Sequence, residues 1–453
     1  MSFIPNTDED RKQMLKAIGV DSFEDLLKNI PDELRLKREL NLPKPLSELE
    51  IRNELQALSE KNKAATEAVS FLGGGAYDHF IPAAVGHITS RSEFYTAYTP
   101  YQAEVSQGTL QAIYEFQTLI CELTGMEVAN ASMYDGGSAL AEAALMAVSE
   151  TQRPEVLVSK AVHPNYRQII KTYFHGQKLE LKEIPLDDGI TSLDELKRLI
   201  TDKTAAVIIQ QPNFFGLLEN VFDAEPIIHE KGALFITSND PISLGILAAP
   251  GEYGVDIMTG EGQALGNALN FGGPYLGLFA IKQKYIRKMP GRLVGATVDT
   301  QGKRGYVLAM QTREQHIRRE KATSNICTNQ ALCALAATVY LTLMGKQGIK
   351  KVAELCLQKS HYLANAIASL EGFGFKFTQS FFKEFVIKCP LPPGELITRL
   401  KKKNILAGID LSQFDYGITD GLLIAVTEKR FREELELFID SLSNLVISEN
   451  PGC

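Results

Sequence analysis

The feature that most constrains the fold is a set of short, wholly apolar runs spaced by helical patterns. The runs lie at 156–158, 205–209, 233–236, 256–258 and 277–281, with helix-period stretches at 163–174, 192–200 and 223–231. Strands that are apolar throughout need cover on both faces, and strands joined through helices run parallel. The chain is therefore expected to form an α/β domain, a mainly parallel sheet with helices on both faces. The pattern changes after Gln330. Helices are expected at 330–344 and 349–370, strands at 385–387 and 422–426, and a closing helix from about 431, which reads as a smaller C-terminal α+β domain. Residues 1–62 read as an N-terminal helical arm whose short helices are capped at 7–10, at 21–24 and by a capping box at 47–50. The expected division is an arm at 1–62, a large α/β domain at 63–325 and a small domain at 326–453.

Charge and cysteine usage narrow the function classes. A net charge of -8 on 453 residues argues against nucleic acid or an anionic membrane as partner, which would require a basic excess. The six cysteines, at 121, 327, 333, 356, 389 and 453, form no CxxC and no metal-like pairing with histidine, so no metal site is expected. No run reaches the apolar length of a membrane span, and the N-terminus is acidic without a leader-like apolar stretch. A cytoplasmic protein is expected.

Several loops carry chemistry-bearing residues. Thr99, Pro100 and Gln102 read as the N-cap, first and third positions of a helix ending at Gly125, with Leu110, Ile113, Phe116, Ile120 and Leu123 as its apolar stripe. Tyr95, Tyr98 and Tyr101 then surround that helix start, either as packing residues or as a site wall where a helix N-terminus favours anions. The turn at 130–138 opens onto a helix and is of a kind that can hold phosphate through backbone N–H groups, although many helices begin this way. His163 follows a strand, where an aromatic ring can stack on a flat cofactor or serve structure alone. The stretch 311–330 packs Arg313, His316, Arg318, Arg319 and Lys321 into nine residues, a solvated helix face on the bland reading. Thr323, Ser324 and Asn325 follow as a polar loop joining the two domains, and such loops line clefts.

Two absences complete the pattern. The run 254–266 reads as a buried strand ending in a glycine-rich loop. In an α/β scaffold of this kind, an enzyme that uses pyridoxal phosphate places its Schiff-base lysine at the end of such a strand. The positions here are Gly262, Gln263, Ala264 and Leu265, and none has an amine. An aspartate to pair with the pyridine nitrogen is also expected at a strand end. Asp240 comes a few residues late after 233–236 to fill that role.

The stretches 75–82, 90–107, 290–295 and 313–328 resemble signatures of glycine dehydrogenase (decarboxylating), the P-protein of the glycine cleavage system, and the resemblance covers nearly the whole chain. It implies a fold-type-I pyridoxal-phosphate transferase fold. It implies further that this chain is the separate N-terminal-half (alpha) subunit, in an α2β2 assembly with a partner subunit carrying the lysine and the pyridoxal phosphate. The implied reaction decarboxylates glycine, releases CO2 and passes the aminomethyl group to the lipoyl arm of the H-protein. Tyr95, Tyr98, Tyr101, Thr323, Ser324 and Asn325 are the candidates to line the partner's site. A degenerate scaffold without catalytic role is the alternative, and the polar loop set speaks against it. An independent lyase holding the cofactor noncovalently is disfavoured by both absences.

Overall fold

The computed structural model describes residues 5–311, 315–322, 324–326 and 328–447, with the side chains of 316, 446 and 447 left aside. The chain forms two units, Met1–Lys63 and Ala64–Cys453. In the first, helices α1 (Asp8–Ile18) and α2 (Glu48–Ser59) flank a single turn at Phe23–Leu26. Each begins with a reciprocal capping box: Thr7 with Asp10, Ser22 with Asp25, and Ser47 with Glu50. The middle cap is therefore Ser22, because only its hydroxyl accepts from the third N–H of that turn. None of these helical residues is buried.

The second unit is built on seven strands: β1 (Val128–Ala129), β2 (Glu155–Ser159), β3 (Glu180–Ile184), β4 (Thr204–Gln211), β5 (Leu234–Asn239), β6 (Ile257–Glu261) and β7 (Gly277–Ile281). Their order is β1-β7-β6-β5-β4-β2-β3. From β6 to β3 all neighbours run parallel, and β7 runs antiparallel to β6 and β1. Successive residues point into two different cores: Leu157, Val207, Phe235 and Met258 into one, Val156, Val158, Ile208 and Ile236 into the other. That two-sided burial is why these strands are apolar throughout.

The helix read from Thr99 starts later. Here α3 spans Gln107–Thr124 with Ser106 as N-cap, behind a single turn at Ala103–Val105. Two tertiary contacts override the local cap: the Arg292 guanidinium donates to the Tyr101 hydroxyl (2.8 Å), and the Gln107 side chain bonds both backbone groups of Tyr306. The stripe of Leu110, Ile113, Phe116 and Ile120 is buried as read, with Leu123 partly so, and Gly125 ends the helix.

Helix α4 (Gly136–Thr151) is buried on almost every side, with small residues at 139, 141, 143, 144 and 147, and it packs on α5 (Pro164–His175) and the sheet. The two helices expected at 330–344 and 349–370 form one run, α6 (Ala331–Ala368), broken at Gly345, whose φ of 56° suits glycine. Among the described helices α6 is the one long and apolar enough to cross a membrane by length and composition. Its residues instead join two cores: Ala334, Tyr340 and Cys356 pack under the large sheet, and Leu363 and Ile367 pack in the C-terminal core. The C-terminal part carries β8 (Gly374–Phe375), β9 (Glu384–Lys388), β10 (Ile409–Asp410) and β11 (Gly421–Ala425) in the antiparallel order β8-β9-β11-β10, closed by α7 (Arg432–Ile447). Only β9 and β11 had a legible apolar run.

Candidate functional site

In an open α/β sheet ligands bind outside the carboxyl ends of the parallel strands. Here those ends deliver His163 just after β2, Gln210 from β4, Asp240 after β5 and Glu261 from β6. With Tyr77 and Lys383 they line a cavity of about 40 Å³.

Glu261 closes one side. Its carboxylate accepts three backbone N–H bonds, from Gly136 (2.9 Å), Gln263 (3.0 Å) and Leu276 (2.9 Å). Gly136 is the first residue of α4, and Asp135 caps the same helix by accepting from Ser138 N–H (2.7 Å). A Cβ at Gly136 would meet the Tyr166 hydroxyl at 2.7 Å and Glu261 at 3.1 Å, so only glycine allows this approach. Burial, reinforced by the charge of Asp135, pushes Glu261 up to about 7 against the three hydrogen bonds. The helix N-terminus read as a possible phosphate cradle is thus held by the chain's own carboxylate.

Lys383 closes the other side. It is 2% exposed, and its ammonium sits 2.7 Å from Asp240, 3.1 Å from His79 Nε2 and 3.5 Å from the centroid of the Tyr77 ring. His79 Nδ1 is 2.6 Å from Glu428, whose carboxyl is held at about 2 by the His79 hydrogen bond and charge despite the cost of burial. Tyr77 donates to Glu384 (2.6 Å), which burial raises to about 7. Asp240 therefore does meet a cation, but a lysine of the same chain.

The positions read as lacking a lysine are built into this wall. Gln263 is buried, accepts from Tyr77 N–H (2.9 Å) and donates to the carbonyls of Tyr77 and Asn267, while Ala264 and Leu265 sit in the core. His163 stacks on Tyr166 at 4.7 Å, accepts Asn165 N–H at Nδ1 and so donates from Nε2 to the Gly74 carbonyl (2.7 Å). Burial, with the nearby charge of Arg167, lowers its pKa to about 4. It stays neutral and tied to the backbone.

The five described residues among the six read as site-lining candidates lie elsewhere. Tyr95 ends a short helix and is exposed, as is Tyr98, whose hydroxyl is 3.5 Å from Thr328 Oγ1. Together they line a groove of about 60 Å³ between α3 and the start of α6. Tyr101 accepts from Arg292, which also lies over its ring at 5.2 Å. Thr323 lies outside the described residues, as do Arg313 and the His316 side chain. Ser324 accepts from Ile326 N–H (3.1 Å) and hydrogen-bonds the buried Glu142; Asn325 is exposed. The structure brings Tyr98 beside the loop that follows Ser324 and Asn325, and puts none of the described five into the strand-end cavity.

The model of a known family, the glycine cleavage system P-protein, matches residues 1–442. The chain belongs to the glycine cleavage system P-protein family. It is 58% identical to a probable glycine dehydrogenase (decarboxylating) subunit 1 of Chloroherpeton thalassium, over 98% of this chain and 100% of that one. The same name belongs to a relative from Desulforamulus reducens, 55% identical over 96% of this chain and 98% of its own. Among solved structures, that of glycine decarboxylase (P-protein) of the glycine cleavage system, in inhibitor-bound form, superposes with a TM-score of 0.91 at 41% identity, covering 98% of this chain and 100% of that one. A NifS-like protein at 13% identity and TM-score 0.63, covering 84% and 99%, shares the fold alone.

The resemblance read from the sequence therefore holds over nearly the whole chain. This P-protein family member has the fold-type-I pyridoxal-phosphate transferase fold, is an enzyme subunit of the glycine-decarboxylating kind, and its relatives' designation as subunit 1 implies a partner subunit. Its own strand-end cleft does not fit pyridoxal phosphate. A small-molecule cofactor needs a pocket of several hundred Å³, whereas about 40 Å³ remains here, no amine follows β6, and both charged positions are filled from within.

Proposed function

We propose that this chain is the non-anchoring half of a two-subunit glycine decarboxylase. A lysine-bearing partner subunit holds the pyridoxal phosphate, and the pair assembles as α2β2 in the cytoplasm. The complex decarboxylates glycine, releases CO2 and passes the aminomethyl group to the lipoyl arm of the H-protein. The observation that carries this reading is the match over 98% of the chain to a relative designated subunit 1, combined with a cleft in which none of Gly262, Gln263, Ala264 and Leu265 has an amine. The part assigned to this chain is to complete the partner's site with polar groups from the 95–101 and 323–325 segments. Tyr95, Tyr98 and Asn325 are exposed and so available for that purpose. Co-expression with the lysine-bearing subunit, followed by a glycine-dependent CO2 exchange assay, tests the reading. Exchange is expected from the complex and not from this chain alone; exchange by this chain alone would overturn it.

A further inference from the structure

The strand-end cleft is more than a site that has lost a lysine. Three backbone N–H groups, from Gly136, Gln263 and Leu276, converge on one carboxylate at the start of a 16-residue helix. That is the donor set and dipole end that bind anionic groups. On the facing wall the Asp240 carboxylate is paired at 2.7 Å with the buried Lys383 ammonium, which covers the face of Tyr77. A pyridoxal enzyme needs an anion position for the phosphate and an acidic partner for the ring nitrogen. Both are present here, and each already has a counterpart from the same chain.

We propose that this cleft is an internally liganded cofactor site, with the Glu261 carboxylate in the anion position and the Lys383 ammonium on Asp240 in the cation position, so that the chain excludes pyridoxal phosphate by occupancy. The proposal deepens the reading that the cofactor belongs to the partner, and rests on it. Occupancy also explains how Lys383 can be buried, with its ammonium paired to Asp240, while three backbone N–H groups offset part of the cost of burying Glu261. The residual cavity, about 40 Å³, has room for a few water molecules.

Equilibrium dialysis of the full chain against inorganic phosphate, and an absorbance titration with pyridoxal 5′-phosphate, test this. The wild-type chain is expected to take up neither saturably. Glu261→Ala frees the three N–H groups, and its affinity for inorganic phosphate is expected to rise at least tenfold, with the anion located at Gly136 in a phosphate-grown crystal. Saturable uptake of either ligand by the wild-type chain overturns the proposal without any variant. So does a folded Glu261→Ala chain that gains no phosphate binding. Should that variant fail to fold, Glu261→Ser, which keeps a small polar group, takes the same measurement. Borohydride reduction separates this from the reading beneath it: a pyridoxyl group fixed on this chain would sink the partner assignment, whereas phosphate uptake alone sinks only the occupancy.

Discussion

Tyr98 and Asn325 are exposed in this chain, so substitution there should cost it no more than about 0.5 kcal/mol of stability. If they position groups in the partner's site, Tyr98→Phe and Asn325→Ala should lower turnover roughly tenfold to a thousandfold. Melting temperature and turnover, measured on the same variant complexes, check this; parallel losses in both would mark a structural role. Lys383 is the opposite case. Removing one partner of a buried, fully paired charge costs about 3–5 kcal/mol, so Lys383→Met should lower the melting temperature of the chain sharply, and an unchanged melting curve would show that the Asp240 pair is not maintained in solution. Part of this was readable. Lys383 and Glu384 interrupt an aromatic and apolar run, Phe381-Phe382 before and Phe385-Val386 after, and two charges in such a run signal buried pairing. Their partners, Asp240 and Tyr77, could not be read, because the contact is made only when the sheet end meets the C-terminal part.

Among the elements, those with strong periodicity were legible and those fixed by tertiary contact were not. The apolar strands β2, β4, β5, β6 and β7 and the break inside α6 followed from the pattern. The edge strand β3 was missed because three of its five residues, Glu180, Lys182 and Glu183, are charged and leave no apolar run. The start of α3 was misplaced because a good local cap at Thr99 lost to the Arg292–Tyr101 and Gln107–Tyr306 contacts. The N-terminal arm has no core of its own among its helical residues. Its helices bury no residue, yet Leu34, Leu42, Leu49 and Leu55 are each more than half exposed. Short helices without a core owe their stability to whatever they pack on. We expect them to lie on the partner subunit, so that deleting residues 1–45 weakens co-purification with it more than it shifts the melting temperature of the remaining chain. Unchanged co-purification would count against this.

For the whole molecule, the buried carboxyls set the pH dependence of stability. Burial raises Glu142, Glu261 and Glu384 from an ordinary 4.5 to about 7. Their contribution is full below about 4.5 and is lost as pH rises through 7. His163 works against this, since a pKa lowered from 6.5 to about 4 adds stability as pH rises over that interval. Three groups outweigh one. Melting temperature should therefore fall between about pH 5 and pH 8, and Glu261→Gln should flatten that slope; a rising curve would contradict the burial of these acids. At the acid end, Glu428 and Asp256 are held near 2, against the cost of burial, by their hydrogen bonds to His79 and to His229 and Lys282, and stability is lost as pH falls through that value.

On the proposed function, this chain works beside a cofactor it does not hold. Borohydride reduction of the native, active two-subunit complex, followed by peptide mass spectrometry, tests it most directly. A pyridoxyl group is expected on a lysine of the partner subunit and none on this chain. A pyridoxyl group on any lysine here, with the cleft-facing Lys383 the first to inspect, would contradict it.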